Sequence, residues 1–214
     1  MRFFSRKKPS VPQDVPVDEE RHYLYDTIDR HIADGFVSYA DAAEEVAEIA
    51  GEEELDPGPY LTALASRWDE RVAAQRSWKG DSDSDRLDAA FADLEAIGFA
   101  ARMNFSCCGS CAPGEIVHDV QGDPTRRAFT YFHMQDADGI SEGSVFLGYG
   151  SLERFVDDAG EWDESAYAEA AVSVGHEIAT ALRVHGLTVE WDGSFARRIQ
   201  VLLPDWRRRI PARS

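Results

Sequence analysis

All three cysteines of the chain lie within one five-residue segment, and no other part of the sequence groups such reactive side chains so closely. Cys107, Cys108 and Cys111 occur in Ser-Cys-Cys-Gly-Ser-Cys-Ala-Pro-Gly-Glu, just past the end of a predicted strand. Thiols on either side of a glycine-containing turn can face the same side and converge on one soft cation. The segment therefore indicates metal binding, thiol redox chemistry or close packing of small side chains.

Zinc is the metal that this turn favours, because thiolates and imidazoles are the usual ligands of zinc, and about four of them form a site. Besides Cys108 and Cys111, the candidate ligands are His118, seven residues after Cys111, and His133. The chain has a single Cys-x-x-Cys pair and no second pair at zinc-ligand spacing. A zinc site built from these four residues is thus the first hypothesis, and zinc is the only cofactor that the sequence suggests.

A redox dithiol is the second hypothesis, because Cys-x-x-Cys motifs at helix N-termini have a lowered thiol pKa. The nearby carboxylates of Glu115 and Asp119 oppose it, since negative charge raises the pKa of a thiol. A disulfide between Cys107 and Cys108 would be strained, because adjacent Cα atoms lie only about 3.8 Å apart. In the third hypothesis the cysteines are small apolar groups that let the end of a strand pack closely.

His133, in an aromatic segment, is the next residue that could take part in chemistry. If the strand continues through this segment, alternation places Tyr131 and His133 on one face, with Gln135 beyond them. His133 is then either a base oriented by a carboxylate or a partly exposed strand histidine. The remaining candidate site residues near the cysteine turn are Cys107, Glu115, Gln135 and Asp136.

Recognised catalytic motifs are missing from the sequence. We find no phosphate-binding glycine loop, no nucleophile elbow and no dinucleotide fingerprint, and His176 has no second histidine four residues later. The sequence therefore favours a non-catalytic binding or regulatory protein over an enzyme, with a metal-binding or thiol-redox protein as the alternative.

Periodicity of the apolar residues predicts the elements that position the cysteine turn. The second half of the chain reads as a helix, three strands, a long helix and two strands, over residues 87–97, 99–105, 128–135, 144–150, 163–185, 187–191 and 198–203. Short connections between consecutive strands favour antiparallel pairing, and two amphipathic helices can cover one face of the sheet. We therefore predict an α+β fold with the order α-β-β-β-α-β-β and an antiparallel sheet.

The first half of the chain predicts a helical subdomain. Three short amphipathic helices occupy residues 18–78, preceded by a basic, proline-spaced tail over residues 1–17. A polar, glycine-containing stretch then separates them from the α+β domain at residues 84–210. We expect these two units to be structurally distinct.

Composition limits the environment and the partners. Hydrophobic residues make up 43% of the 214, which is typical of a globular protein, and no apolar run is long enough to span a bilayer. Prolines follow the basic N-terminus where a signal peptide needs an apolar helix, so we expect a cytoplasmic protein that does not bind membranes. The net charge of −18 would repel nucleic acid, so a protein is the expected partner.

The second half of the chain, about residues 86–209, resembles a family of uncharacterised bacterial proteins that contain a domain of unknown function. The resemblance rests on five segments: Cys107-Cys108-Gly-Ser-Cys111 with Glu115-Ile116, Tyr131-Phe132-His133 with Gln135-Asp136, Gly148-Tyr149-Gly150, residues 186–194 (Gly-Leu-Thr-Val-Glu-Trp-Asp-Gly-Ser), and Asp205-Trp206-Arg207-Arg208. Ala112 and Met134 depart from it, standing where glycine and glutamine are usual. The resemblance implies no activity, but it implies that the cysteine turn, His133 and the strand that contains Trp191 belong to one unit.

Overall fold

The computed structural model of the protein describes residues 19–213 and has an α+β fold, as predicted from the sequence. In chain order its elements are α1 (Glu19–Asp34), α2 (Tyr39–Glu52), α3 (Gly58–Ala74), α4 (Asp83–Ala96), β1 (Phe99–Arg102), α5 (Ala112–Asp119), β2 (Ala128–Tyr131), α6 (Met134–Ala137), β3 (Ser144–Ser151), α7 (Glu164–Val184), β4 (Thr188–Glu190) and β5 (Ile199–Leu202). The predicted tail, residues 1–17, lies outside the described residues. Within the described part of the chain, every helix is too short or too polar to cross a membrane.

The five strands form one mixed sheet in the order β1-β2-β3-β5-β4. The pairs β2–β3, β3–β5 and β5–β4 are antiparallel, as predicted. The pair β1–β2 corrects the prediction, because these strands run parallel, with Phe99 opposite Ala128. Parallel neighbours need a crossover connection, and here α5 and its flanking loops return the chain to the same end of the sheet.

Helices lie on both faces of the sheet, whereas the sequence predicted cover on one face. The main hydrophobic core lies between the sheet and the helices α4 and α7, and it includes Phe99, Leu147 and Ile178. Side chains alternate along a strand, so Ala100 and Phe129 point to the opposite face, where they pack with Ile116 of α5. The cysteine turn, which precedes α5, is therefore held on the face that the main core does not occupy.

The N-terminal helices α1, α2 and α3 share a hydrophobic core of their own, which includes Leu24, Val46 and Trp68. The Ser38 side chain forms a capping box with Asp41 at the start of α2, which satisfies backbone N–H groups that the first turn leaves unpaired. Ile210, almost at the end of the chain, is also buried in this core. The C-terminal segment thus runs back from the sheet to the helices.

Candidate functional site

The cysteine turn is fixed to the ends of two neighbouring strands. Beyond β1, Asn104 and Ser106 adopt positive φ angles of 50° and 65°, which turn the chain sharply. The backbone N–H of Phe105 donates to the carbonyl oxygen of Phe132 at 2.9 Å, and that of Met134 donates to Ser106 at 3.1 Å. Since β1 and β2 are parallel, both end at this edge of the sheet, and the turn is anchored to both of them.

The turn continues directly into α5. Cys111 is the residue before the helix, and the N–H of Ala112 donates to the carbonyl oxygen of Cys108 at 3.1 Å. The apolar side chains of Ala112 and Ile116 then bury the inner face of α5 against the sheet. The cysteines are therefore held at the N-terminal end of a helix that the sheet holds in place.

The three sulfur atoms lie together. All three cysteines are free, and their Sγ atoms lie within 4.8 Å of one another, with 3.7 Å between those of Cys107 and Cys108. Across residues 19–213, no other set of three or more histidine, cysteine or acidic side chains places its potential ligand atoms this close. Cys107, Cys108 and Cys111 thus form a cluster that is compatible with holding a metal ion.

Local hydrogen bonds give the thiols different acidities. The pKa of Cys108 is lowered to about 6, first by the Ser110 hydroxyl, 3.1 Å from its sulfur, and then by the backbone N–H groups of Cys111 and Ser110. The pKa of Cys111 is raised to about 11 by the neighbouring sulfur atoms of Cys108 and Cys107. At neutral pH Cys108 is therefore a thiolate and Cys111 a thiol. Short contacts inside the turn cause this difference, and sequence reasoning, which considered Glu115 and Asp119, did not include them.

Neither of the two candidate histidines belongs to the group of close ligand atoms that the three sulfur atoms form. His118 is exposed in the last turn of α5, and it is not part of the group of ligand atoms within 4.8 Å. His133 is buried against the turn, where a Cβ atom on Gly109 would lie 3.1 Å from its Nε2 atom. Its nitrogens are likewise outside that group, although its ring contacts the loop that carries the cysteines.

His133 is a helix cap and does not continue the strand, which corrects the predicted strand over residues 128–135. Its Nδ1 atom accepts a hydrogen bond of 3.1 Å from the N–H of Asp136, and the Asp136 carboxylate accepts one from the N–H of His133. Asp136 Oδ2 also lies 3.1 Å from His133 Nε2. Burial lowers the pKa of His133, although Asp136 opposes this effect, so the imidazole is neutral at physiological pH.

The other two candidates, Glu115 and Gln135, are exposed. Glu115 lies in the first turn of α5 and points away from the core. Gln135 lies on α6 and lines a different cavity of about 240 Å³, between the N-terminal helices and α6, which Asp34 also lines. The structure therefore separates Gln135 from the cysteines, while Asp136, its neighbour, contacts His133.

A cleft of about 310 Å³ adjoins the cysteine turn, and Gly109 and Pro113 of the turn form part of its wall. The aromatic side chains that line it are Phe129, Tyr131, Tyr149, Tyr167 and Phe195. His133, Arg197 and Arg198 lie along its polar side. Tyr167, Phe195 and the two arginines were not recognised as site residues from the sequence. The glycines on either side of Tyr149 are the signal that could have indicated a close approach in this region, because glycine inside a strand often marks one.

Comparison with known proteins identifies a family. A family model described as a domain of unknown function (DUF6891) matches residues 17–210. No curated protein and no solved structure matches the chain. The match extends beyond the region of resemblance, residues 86–209, and takes in the N-terminal helices. The chain therefore belongs to the DUF6891 family, whose domain includes both the helical region and the sheet.

Proposed function

We propose that this protein binds a thiophilic metal ion, with zinc as the first candidate, through Cys107, Cys108 and Cys111. The observation that carries the proposal is the spacing of the sulfur atoms. Sulfur ligands 2.3 Å from a tetrahedral zinc ion lie about 3.8 Å from one another. The Cys107 and Cys108 sulfur atoms are 3.7 Å apart, so this pair already has the spacing of a zinc site.

The acidity of Cys108 supports the same function. Metal ions bind the thiolate form of cysteine, so a thiol that is already deprotonated at neutral pH loses no proton on binding. The N–H groups of Ser110 and Cys111 that stabilise the Cys108 thiolate would also hydrogen-bond the sulfur of a bound thiolate. A metal ion would then lower the pKa of Cys111 and draw it in as the third ligand.

The fourth position of the site would be taken by water, by a bound molecule or by a histidine. His133 is one candidate, but Nδ1 accepts from the Asp136 N–H, so Nε2 carries the ring proton and must both lose that proton and leave Asp136 before it can offer a lone pair to the metal. His118 would need a larger movement, since it lies at the far end of α5. Three protein ligands and one exchangeable ligand are typical of zinc sites that do chemistry, and four protein ligands of structural sites.

The test is the metal content of protein purified without a histidine tag, followed by titration with zinc against a chromophoric chelator. We expect about one zinc ion per chain, with each of Cys107→Ser, Cys108→Ser and Cys111→Ser weakening zinc binding by at least about tenfold. His133→Gln and His118→Gln then assign the fourth ligand. Circular dichroism checks that each variant is folded. Protein that neither contains zinc nor competes with the chelator would exclude the proposal.

A second candidate function is thiol–disulfide exchange, which the difference in thiol acidity favours. The Cys108 thiolate would attack a disulfide of a substrate and form a mixed disulfide, releasing one substrate thiolate that takes up a proton. Cys111 would then lose its proton and attack the Cys108 sulfur, which releases the second substrate thiol. Cys108 and Cys111 end as a disulfide, and the two electrons have passed to the substrate.

Equilibration in glutathione buffers, with thiol trapping and mass spectrometry, separates the two functions. Redox activity predicts a Cys108–Cys111 disulfide that also forms in Cys107→Ser and that zinc prevents. Formation of mixed glutathione adducts alone would contradict it, because the resolving step by Cys111 would then be missing.

The wider role that fits a closed metal site is that of a non-catalytic cytoplasmic binding or regulatory protein with a protein partner. The three cysteines are free although their sulfur atoms lie close together. Free cysteines this close support a reducing compartment, because an oxidising one would favour disulfide formation. Trapping the thiols with an alkylating agent in intact cells tests the location, and fully reduced cysteines are the expected result. Extensively oxidised cysteines would place the protein in an oxidising compartment instead.

A further inference from the structure

The cleft beside the cysteine turn is built on two glycines of β3. A Cβ atom at Gly148 would lie 2.7 Å from the Cζ atom of Tyr131, and one at Gly150 would lie 2.5 Å from the hydroxyl of Tyr167. Both tyrosines therefore lie directly over the strand, in space that any larger residue would fill. The cleft of about 310 Å³ is at the lower end of the range for small-molecule sites.

Two tyrosine hydroxyls that line this cleft have no hydrogen-bond partner within the described part of the chain. Tyr131 is only 6% exposed and Tyr167 is half-buried, and no hydrogen bond from either hydroxyl is found among residues 19–213. Tyr149, on the same cleft, instead donates to the carbonyl oxygens of Ser194 and Arg197. Neither hydroxyl oxygen is among the fully buried atoms that lack a partner, so both open onto the cleft and are available to donate to an acceptor from outside.

The two hydroxyls lie close enough together to donate to the same ligand. They lie over glycines two residues apart on β3, which corresponds to a separation of about 7 Å along a strand. Burial raises the pKa of both Tyr131 and Tyr167, so both stay protonated and can donate. A ligand between them would therefore meet two hydrogen-bond donors.

The two arginines of the cleft, Arg197 and Arg198, differ in how free their guanidinium groups are to bind a ligand. Arg198 already donates to both carboxylate oxygens of Asp136 and to the carbonyl oxygen of Phe146. Arg197 has a side chain that is 76% exposed, and its ion-pair partner, Asp192, is 4.0 Å away. In a protein with a net charge of −18, a guanidinium this loosely paired at the edge of an aromatic cleft favours an anion. A carboxylate is the best-matched anion, because its two oxygens can accept two parallel hydrogen bonds from the planar guanidinium.

We propose that this cleft binds a small carboxylic acid anion whose body is a flat apolar or aromatic ring. The ring would lie among the aromatic side chains that include Phe129 and Phe195, and the carboxylate would accept hydrogen bonds from Tyr131, Tyr167 and Arg197. Since Gly109 and Pro113 line the same cleft, the ligand would lie next to the cysteine turn. This site needs no metal ion and is independent of the proposed metal binding.

The probe for this site is benzoate, with benzyl alcohol as a neutral molecule that has the same ring. Binding is followed by nuclear magnetic resonance, both from the ligand and from backbone amide shifts of labelled protein. We expect benzoate to bind weakly, in the millimolar range, and benzyl alcohol about tenfold more weakly still, because it lacks the charge. Amide shifts should concentrate at Gly109, Gly148 and Gly150.

Variants locate the binding. Arg197→Gln should weaken benzoate about tenfold, whereas Arg76→Gln, at an exposed arginine of the helical region, should leave it unchanged. Tyr131→Phe and Tyr167→Phe should each weaken it, and Ala196→Trp, an exposed position at the cleft, should block it. The triple serine variant of the cysteines should bind benzoate as well as the wild type, which separates this site from the metal site. Equal binding of benzoate and benzyl alcohol, equal effects of Arg197→Gln and Arg76→Gln, or no binding to the wild type would overturn the proposal.

Discussion

The indole Nε1 of Trp68 in α3 donates a hydrogen bond of 2.8 Å to the carbonyl oxygen of Pro211, near the other end of the chain. Next to it, the Gln75 side chain donates to the carbonyl oxygen of Ile210 at 2.7 Å and accepts from its N–H at 3.0 Å. The segment after the sheet is thus bonded to the helical region by both side chains. The C-terminal segment therefore joins the helices to the sheet in addition to the direct connection at residues 78–82 and to contacts such as the Arg30–Asp138 ion pair.

Gln75→Ala removes both side-chain hydrogen bonds to Ile210 and leaves two backbone groups without partners. We expect the free energy of unfolding to fall by about 1–3 kcal/mol, as measured by urea denaturation. Arg76→Ala, at the adjacent exposed residue, should change it by no more than about 0.5 kcal/mol. Equal effects of the two substitutions would mean that the C-terminal segment does not stabilise the helical region.

Cys108 should react with iodoacetamide at lower pH than an ordinary thiol. The alkylation rate follows the thiolate fraction, so it should rise with a midpoint near pH 6, the pKa of Cys108, whereas Cys111 should resist alkylation at neutral pH. Ser110→Ala removes the hydroxyl that most stabilises the thiolate and should move the midpoint to higher pH. Peptide mass spectrometry assigns the modified residue, and Cys108→Ser should lose the low-pH reaction. The experiment is done with a zinc chelator present, because a bound metal would protect the sulfur atoms.

Local patterns in the sequence predict most of the elements but not the way in which β1 pairs. The order of the helices and strands in the second half follows from the change between helical and strand periodicity near Gly98. Helix α5 was not predicted, because its eight residues include Pro113 and Gly114 and show only one full turn of apolar spacing. A parallel pair of strands needs a crossover element between them, and α5 is that element. Because α5 was not predicted, a long loop between β1 and an antiparallel neighbour was the simpler expectation.

Some features of the candidate site depend on residues that are close in sequence, and others depend on residues that only folding brings together. The sulfur cluster is local, since three cysteines in one turn must lie close together, and the sequence indicated it. The cleft depends on Tyr167 and Arg197, which come from α7 and from the loop before β5 and which only the folded chain brings to β2 and β3. Hydrogen bonds such as that from Ser110 to Cys108 depend on the exact turn geometry, so the acidity of Cys108 could not be read from composition.

Asp34 should make the protein less stable as the pH rises. Burial raises its pKa to about 7; Arg30 lowers it and Asp138 raises it further. A carboxyl group with a higher pKa in the folded state is protonated more in that state, so stability is lost as the pH rises from about 4 to 7. Asp34→Asn has no such proton to lose. Between pH 5 and pH 8, the variant should therefore gain up to about 3 kcal/mol in urea denaturation relative to the wild type. Asp158→Asn, at an exposed loop position, is the control, and parallel pH profiles for Asp34→Asn and the wild type would contradict the assignment.

Gly150→Ala should disturb the cleft from the sheet side. The added methyl group would lie 2.5 Å from the Tyr167 hydroxyl and 2.7 Å from the Cζ atom of Phe129, which is closer than carbon atoms pack. Overfilling a packed site of this kind costs about 1–3 kcal/mol of stability. Gly51→Ala is the matched control, because a Cβ atom there meets nothing within 4 Å and alanine is the better helix former, worth up to about 1 kcal/mol. The two substitutions should thus shift the urea midpoint in opposite directions, and only Gly150→Ala should also weaken benzoate. Stabilisation by Gly150→Ala would mean that Phe129 and Tyr167 move apart freely and do not form a fixed wall.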